Sequence, residues 1–411
     1  LYKRFDRIIC AVKKRNHQGT RMKNKFLADK NLIDSSNALS SVASMIGDKD
    51  VINLSIGDPD FITNKIIIDE AFSDAEKGHT KYTLPSGDPE LNKEIIGFYK
   101  EEYGLTIDKK EIMVTVGACH ALFIAFQACL NQGDEVIVPE PYFSPYKDEI
   151  EMAGGKLIPL PTFEKDEFVI NIDSLKTLIT PKTRAILINS PNNPTGACYS
   201  RATLQALADV AIEHDLIVLS DEVYDAISFK SKHISILEIE GMKERSILLA
   251  SFSKGYAMTG WRIGFAIAPD YVIKCMVRIN ESITFSAPSI SQRAAIHAIR
   301  NRSAVQPAII HGFEKRMNYG FKRINAIQGL SVLEPRGGIY LFMNIKETGM
   351  SSNEFSKYLL AKTKIVVLTG TAFGESGEGF VRIACTISVE KMKEAFDRVE
   401  ELFGLKMNHP Q

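Results

Sequence analysis

Ser251-Phe252-Ser253-Lys254 closes an apolar run, and Gly260-Trp261-Arg262 follows shortly after. A lysine is usually a solvated surface charge. This one lies between two buried strand patterns, so its amine is held near the end of a sheet. There it can form a Schiff base with a carbonyl compound. Ser251, Ser253 and Arg262 could together bind one phosphate, since charged donors make the strongest hydrogen bonds to such oxygens. Asp221 ends a second run, Leu216-Ile217-Val218-Leu219-Ser220-Asp221. Open α/β sheets bind ligands at the carboxyl ends of their strands. An aspartate there is either a helix N-cap or a carboxylate paired with a protonated pyridine nitrogen, which keeps such a ring an electron sink. Tyr224 either packs in the core or hydrogen-bonds a phenolic oxygen on that ring.

Two further segments occupy comparable positions. Asn189-Ser190-Pro191-Asn192-Asn193-Pro194-Thr195-Gly196 is rich in turn formers. Val114-Thr115-Val116-Gly117-Ala118-Cys119-His120 reads as a strand–glycine–helix junction whose free backbone N–H groups suit a phosphate. His120 is expected to be a helix residue without catalytic duty.

The elements that must position these residues alternate from residue 111 onward. Strands are expected at 112–116, 135–138, 185–188, 216–219, 246–249 and 263–266, with helices at 118–130 and 202–214. Continuous apolar strands with intervening helices imply a parallel or mixed sheet buried on both faces. Beyond residue 313 the pattern changes to helices at 313–327, 352–362 and 389–403 around short strands, as in a smaller α+β domain.

Composition narrows the function classes. The chain has 411 residues, 50 Lys+Arg against 50 Asp+Glu, 24% charged and 45% hydrophobic residues. That is ample for a large globular core. Zero net charge gives no electrostatic case for a nucleic-acid partner. No apolar run approaches the ~18 residues of a membrane span. The six cysteines (Cys10, Cys119, Cys129, Cys198, Cys275, Cys385) contain no C-x-x-C pair. Metal-ligand spacing is therefore absent, and a reduced, cytoplasmic setting without a disulfide framework is expected. Residues 1–21 carry seven basic residues against Asp6. An organelle-targeting leader competes here with plain upstream sequence ahead of Met22; the expectation is the latter, with no part in the fold.

Together and in this order, the four segments resemble the class I aminotransferases of the fold type I pyridoxal-phosphate enzymes. The resemblance runs from about Val51 to the C-terminus. It includes Asn53-Leu54-Ser55-Ile56-Gly57-Asp58-Pro59, Tyr82-Thr83-Leu84-Pro85-Ser86-Gly87, Pro141-Tyr142-Phe143-Ser144-Pro145-Tyr146 and Val381-Arg382-Ile383. It implies an α/β fold whose large domain (63–294) holds a mostly parallel seven-stranded sheet. A smaller α+β domain (295–411) and an N-terminal arm that begins it (22–62) complete the chain. It also implies pyridoxal 5′-phosphate as cofactor. Lys254 would be the Schiff-base lysine and proton-moving base, Asp221 the partner of the ring nitrogen, and Tyr224 and Asn193 the ligands of the ring oxygen. Ser251, Ser253, Arg262 and the backbone of Ala118 and Cys119 would form the phosphate cup, with Phe143 stacked on the ring. Tyr82 would reach the phosphate of a second subunit, which implies a homodimer with shared sites. Arg382, Asn193 and the Gly57 backbone would hold the substrate α-carboxylate; arginine suits this because it binds carboxylates bidentately.

Several positions depart from the resemblance. Phe143 replaces a tryptophan, Cys119 a hydroxyl residue or lysine, and Ile339 a frequent phenylalanine. No arginine occurs at 282–292, where dicarboxylate-specific relatives carry one. A buried side-chain carboxylate needs a cation, so the expected donor is an aromatic or other neutral L-amino acid, with 2-oxoglutarate as the acceptor. An aspartate or N-acetyl-diaminopimelate aminotransferase and a carbon–sulfur β-lyase are the alternatives. A DNA-binding regulator is remote, because the residues before Asp34 are too few for a winged helix. The segment 36–46 resembles a mobile arm over the substrate.

Overall fold

The computed structural model describes residues 50–406. The basic leader and the arm at 36–46 lie outside them. The strands are β1 (Ile52–Asn53), β2 (Ile112–Thr115), β3 (Glu135–Glu140), β4 (Lys156–Pro161), β5 (Thr183–Asn189) and β6 (Ile217–Asp221). They continue as β7 (Ser246–Ser251), β8 (Gly264–Ile267), β9 (Tyr340–Asn344), β10 (Ile365–Val366), β11 (Leu368–Thr369) and β12 (Phe380–Ala384). The helices begin with α1 (Lys65–Glu76), α2 (Pro89–Tyr103), α3 (Gly117–Cys129), α4 (Pro145–Met152), α5 (Ile172–Leu178) and α6 (Arg201–Glu213). They end with α7 (Asp270–Glu281), α8 (Ser289–Arg300), α9 (Arg302–Ala326), α10 (Ser352–Thr363) and α11 (Val389–Phe403).

β5 is buried from Ala185 onward. Alternation sends Ala185 and Leu187 to one face and Ile186 and Ile188 to the other, where they join two separate apolar clusters. This is why the run reads as continuously apolar. Strands β2 to β8 form the expected seven-stranded sheet, in the order β2-β8-β7-β6-β5-β3-β4. β3 to β7 are parallel, and β8 runs against both of its neighbours.

Register gathers the strand ends at one edge. Asn189 lies opposite Asp221, and Thr115 and Ser251 both pair with Gly264. Such an edge is where an open α/β sheet presents a ligand site. In the C-terminal third, β11, β12 and β9 form an antiparallel sheet. β1 pairs with β10, and the Ala384 N–H donates to Leu54 O at 2.7 Å. Leu54 thereby enters the same cluster as Phe355, Ile383 and Phe396, and the Ser55–Gly57 backbone is brought to Arg382.

Six helices lie outside the expected ranges: α1 and α2 precede the alternation that starts at residue 111, and α4, α5, α7 and α8 fall within it. α2 nevertheless carries clear punctuation: Asp88 caps the Glu90 N–H at 2.8 Å, Pro89 opens the helix, and Gly104 ends it with φ 69°. α9 begins at Arg302, ahead of the expected 313. Pro307 withdraws one backbone hydrogen bond there without ending the helix.

Gly264 seats α3 on the sheet. A Cβ at this position would lie 2.6 Å from Ala250 O and 2.9 Å from the carbonyl carbon of Gly117. Gly264→Ala should therefore destabilise the protein by about 1–3 kcal/mol, the usual range for overpacking. Urea unfolding checks this: an unchanged midpoint would show that α3 retreats without penalty.

Candidate active site

Asp221 is a buried carboxyl at the sheet edge. Its side chain accepts a hydrogen bond from the Tyr146 hydroxyl at 2.5 Å and one from the Val223 N–H at 3.3 Å. Among the described residues it has no ion-pair partner. Burial outweighs these bonds and pushes its pKa up to about 6. Val223 is the only near-neighbour in sequence among these partners. Tyr146 comes from the first turn of α4, one turn beyond Phe143, and the two rings pack edge to face at 5.4 Å. Tyr146 ends the Pro141–Tyr146 motif, but its link to Asp221 spans 75 positions and leaves no mark on local spacing. One turn further along α4, Glu149 has a buried Oε2 without a hydrogen-bond partner. Burial, then the charges of Asp221 and Asp148, push this acid up to about 8.

Beside Asp221, α3 starts without a side-chain cap. Gly117 has φ 75°, and a Cβ there would come 2.8 Å from Arg262 Nη2. The glycine thus lets a guanidinium sit against the positive end of the helix, a pairing that suits an anion between them. Ser251 Oγ donates to Ser253 Oγ at 2.8 Å, on the strand that Gly264 joins to Thr115. The structure therefore brings Ala118, Cys119, Ser251, Ser253 and Arg262 together. His120 Nδ1 accepts the Val116 N–H at 3.1 Å, a local bond.

Lys254 follows β7, and its Nζ donates to Gly57 O. Buried Arg382 donates to Asn193 Oδ1 at 2.9 Å and to Ser55 O at 2.5 Å, while its Nε has no partner. Its guanidinium carbon lies 4.1 Å from the ring centroid of Tyr340 and 4.8 Å from that of Phe373. The Tyr224 hydroxyl donates to that of Tyr340 at 3.4 Å. Burial raises the Tyr340 pKa, but the charges of Arg382 and Lys254 outweigh it and leave the phenol more acidic than usual. Ile339, singled out from the sequence at this motif, is instead fully buried in the core. Strand alternation explains the exchange: the next residue along, Tyr340, is the one that faces Arg382.

Tyr82 stands apart in the single chain, 86% exposed and edge-on to Phe285 at 5.4 Å. Its loop is held by buried Gln292, which donates to Thr83 Oγ1 at 2.9 Å and accepts the Asp88 N–H at 2.6 Å. The next residue, Arg293, is engaged with Asp74 at 2.7 Å and also with Glu90. Burial opposes ionisation of Asp74, yet hydrogen bonds from His297 and Arg293 hold it at about 2. Arg293 is therefore a structural cation.

A model of the family described as aminotransferase class I and II matches residues 49–399. The chain belongs to this family. This aminotransferase is 41% identical over 364 residues to aromatic-amino-acid aminotransferase 2 of Thermococcus litoralis, covering 88% of this chain and 93% of that protein. It is 42% identical over 364 residues to aspartate aminotransferase of Pyrococcus abyssi, with the same two shares. The crystal structure of an aromatic aminotransferase from Pyrococcus horikoshii OT3 matches with TM-score 0.83 and 40% identity, covering 89% of this chain and 98% of that one. Family members depend on pyridoxal phosphate. The donor set suits that group: a buried carboxyl without a cation, an uncapped helix start under a guanidinium, and a lysine amine at the same sheet edge. Among the described residues, no helix of this aminotransferase is long and apolar enough to cross a membrane.

Glu149 makes the fold of this aminotransferase sensitive to pH. Its pKa of about 8 exceeds the ordinary glutamate value, so the folded state holds a proton that the unfolded chain has lost. Stability falls as pH rises from that ordinary value through about 8. Cofactor-free Glu149→Gln should melt above wild type at about pH 8 and close to it at about pH 5. Calorimetry checks this, and an equal Tm difference at both values would sink it.

Proposed function

We propose that this aminotransferase moves the amino group of an aromatic or other neutral L-amino acid to 2-oxoglutarate, using pyridoxal phosphate held at the edge formed by β2, β5, β6 and β7. The observation that carries the reading is the convergence on one edge of buried Asp221, the Lys254 amine and the Arg382 clamp. Bound pyridoxal phosphate supplies an electron sink for the negative charge left when a substrate Cα loses its proton. Asp221 holds a ring nitrogen protonated, and Tyr146 fixes the carboxylate that does so. Ser251, Ser253, Arg262 and the backbone N–H groups of Ala118 and Cys119 bind the phosphate. Phe143 would pack on the ring. Tyr224 donates to the ring oxygen; Arg382 occupies Asn193 Oδ1, which leaves Nδ2 as a second donor. Arg382 and the Gly57 backbone orient the α-carboxylate, and Lys254 Nζ is the base that takes the Cα proton.

The choice of a neutral donor rests on what surrounds the substrate end. No arginine occurs at 282–292, Arg293 is tied to Asp74 and Glu90, and Cys119 carries no positive charge. A distal carboxylate thus has no free cation at these positions, and that of the 2-oxoglutarate acceptor is met by donors elsewhere in the site. We further infer a homodimer in which Tyr82 reaches the partner's phosphate. Exposed Tyr82, Leu84, Ile283 and Phe285 give the patch that a second copy would cover.

Borohydride reduction of the holoenzyme followed by peptide mapping should place the cofactor on Lys254, and Lys254→Ala should lose turnover. Label on another lysine refutes the assignment. For the substrate, half-reactions with single amino acids should saturate with phenylalanine or tyrosine at lower concentration than with aspartate; the opposite order overturns the neutral preference. For the dimer, mixing inactive Tyr82 and Lys254 variants should restore activity, because one site in each hybrid is intact. Proven subunit exchange without recovery counts against shared sites.

A further inference from the structure

Tyr340 has no role in the motif matches, yet it touches several residues that do. It is 4% exposed. One ring face carries the Arg382 guanidinium at 4.1 Å, and the hydroxyl lies 3.4 Å from that of Tyr224. A Cβ on Gly57 would overlap the same hydroxyl, and Gly57 O accepts from Lys254. The titratable and charged groups that act on this phenol are Arg382, Lys254 and Tyr224.

We propose that Tyr340 is a positioning residue that couples Arg382 to Tyr224, so that a carboxylate bound at the first alters the hydrogen bond donated by the second. This rests on the assignment above of Arg382 to the substrate carboxylate and of Tyr224 to the cofactor ring oxygen.

The coupling follows from elementary electrostatics. A guanidinium stacked on a phenol favours negative charge on its oxygen, which makes the hydroxyl a better donor. A bound carboxylate cancels the guanidinium charge and weakens that donor. The Tyr224 hydroxyl has one proton and two lone pairs. It donates to Tyr340 in this structure; once its proton is given to a ring oxygen, the bond reverses and Tyr340 donates to Tyr224. Hydrogen bonds in such a chain strengthen or weaken together. Carboxylate binding at Arg382 therefore weakens the bond to the ring oxygen, whose negative charge then holds a neighbouring proton more tightly. The expected sign is a rise in the protonation midpoint of the lysine-bound cofactor.

Visible absorption of the holoenzyme, titrated against pH, reads this midpoint directly. The comparison uses wild type, Tyr340→Phe, Tyr224→Phe and the double variant, each with and without 3-phenylpropionate, a carboxylate that has no amine to react. In wild type the ligand should raise the midpoint. Tyr340→Phe should raise the ligand-free midpoint by about 0.5 pH unit, a roughly threefold change in proton affinity, and shrink the ligand-induced rise. In the Tyr224→Phe background the Tyr340 effect should vanish, as expected of residues acting in series. Should Tyr340→Phe fold poorly, Tyr224→Phe must itself shrink the ligand-induced rise, the remainder being carried by the direct Arg382–Asn193 bond. Unchanged midpoints with weakened 3-phenylpropionate binding would mean that only the ring matters, and would overturn the proposal. A Tyr340 effect that persists undiminished without the Tyr224 hydroxyl also overturns it. A wild type with no lysine-bound absorption band overturns the underlying site assignment and this coupling with it; a normal band with unmoved midpoints overturns the coupling alone.

Discussion

A carboxyl group sealed at the end of β6, bonded to a phenol and a backbone amide but to no cation among the described side chains, is the constraint on which the site depends. Burying a charge without an opposite charge is costly, and hydrogen bonds offset only part of it. The rise of Asp221 to about 6 is the visible trace of that imbalance. A cationic ring placed against Asp221 would remove the imbalance, so the same burial that weakens the fold favours binding of a protonated heterocycle. Tyr146 has to reach this carboxyl from α4, and β5 must lie alongside β6 for Asn189 to stand opposite it. Much of the large sheet is thus arranged around one uncompensated acid.

The reversed strand β8 solves a second problem. Lys254 and Arg262 must both lie near the start of α3, although α3 follows β2 and the lysine follows β7. By running antiparallel between β7 and β2, β8 places its first residue against Ser251 on one side and Thr115 on the other. The loop between β7 and β8 then crosses directly above the helix start. Gly264 and Gly117 allow the close approach, because neither position has space for a Cβ.

Legibility in the sequence follows the range of the interaction. Buried strands, the helix start at Gly117 and the strand-end residues Asp221 and Lys254 are set by local pattern, so periodicity and punctuation reveal them. α2 was equally local; Asp88-Pro89 and Gly104 mark it, although the apolar alternation does not extend there. The roles of Tyr146, Glu149 and Tyr340 are of another kind. Each depends on a partner far along the chain, and the choice of Tyr340 over Ile339 depends on which face of β9 meets Arg382. Arg293 shows the same limit from the other side: its charge is plain in the sequence, but its commitment to Asp74 and Glu90 appears only when α8 packs on α1 and α2.

The anion cup at Gly117 is largely main chain, and that has an evolutionary consequence. Only proline removes a backbone N–H, so other substitutions at Ala118 or Cys119 alter what projects from the cup while its N–H donors persist. The surroundings of Arg382 are instead side chains borrowed from distant segments, Asn193, Tyr340 and Phe373, each exchangeable one at a time. Under the proposed assignment, such a division would let a lineage drift in the amino acids it accepts while retaining the cofactor.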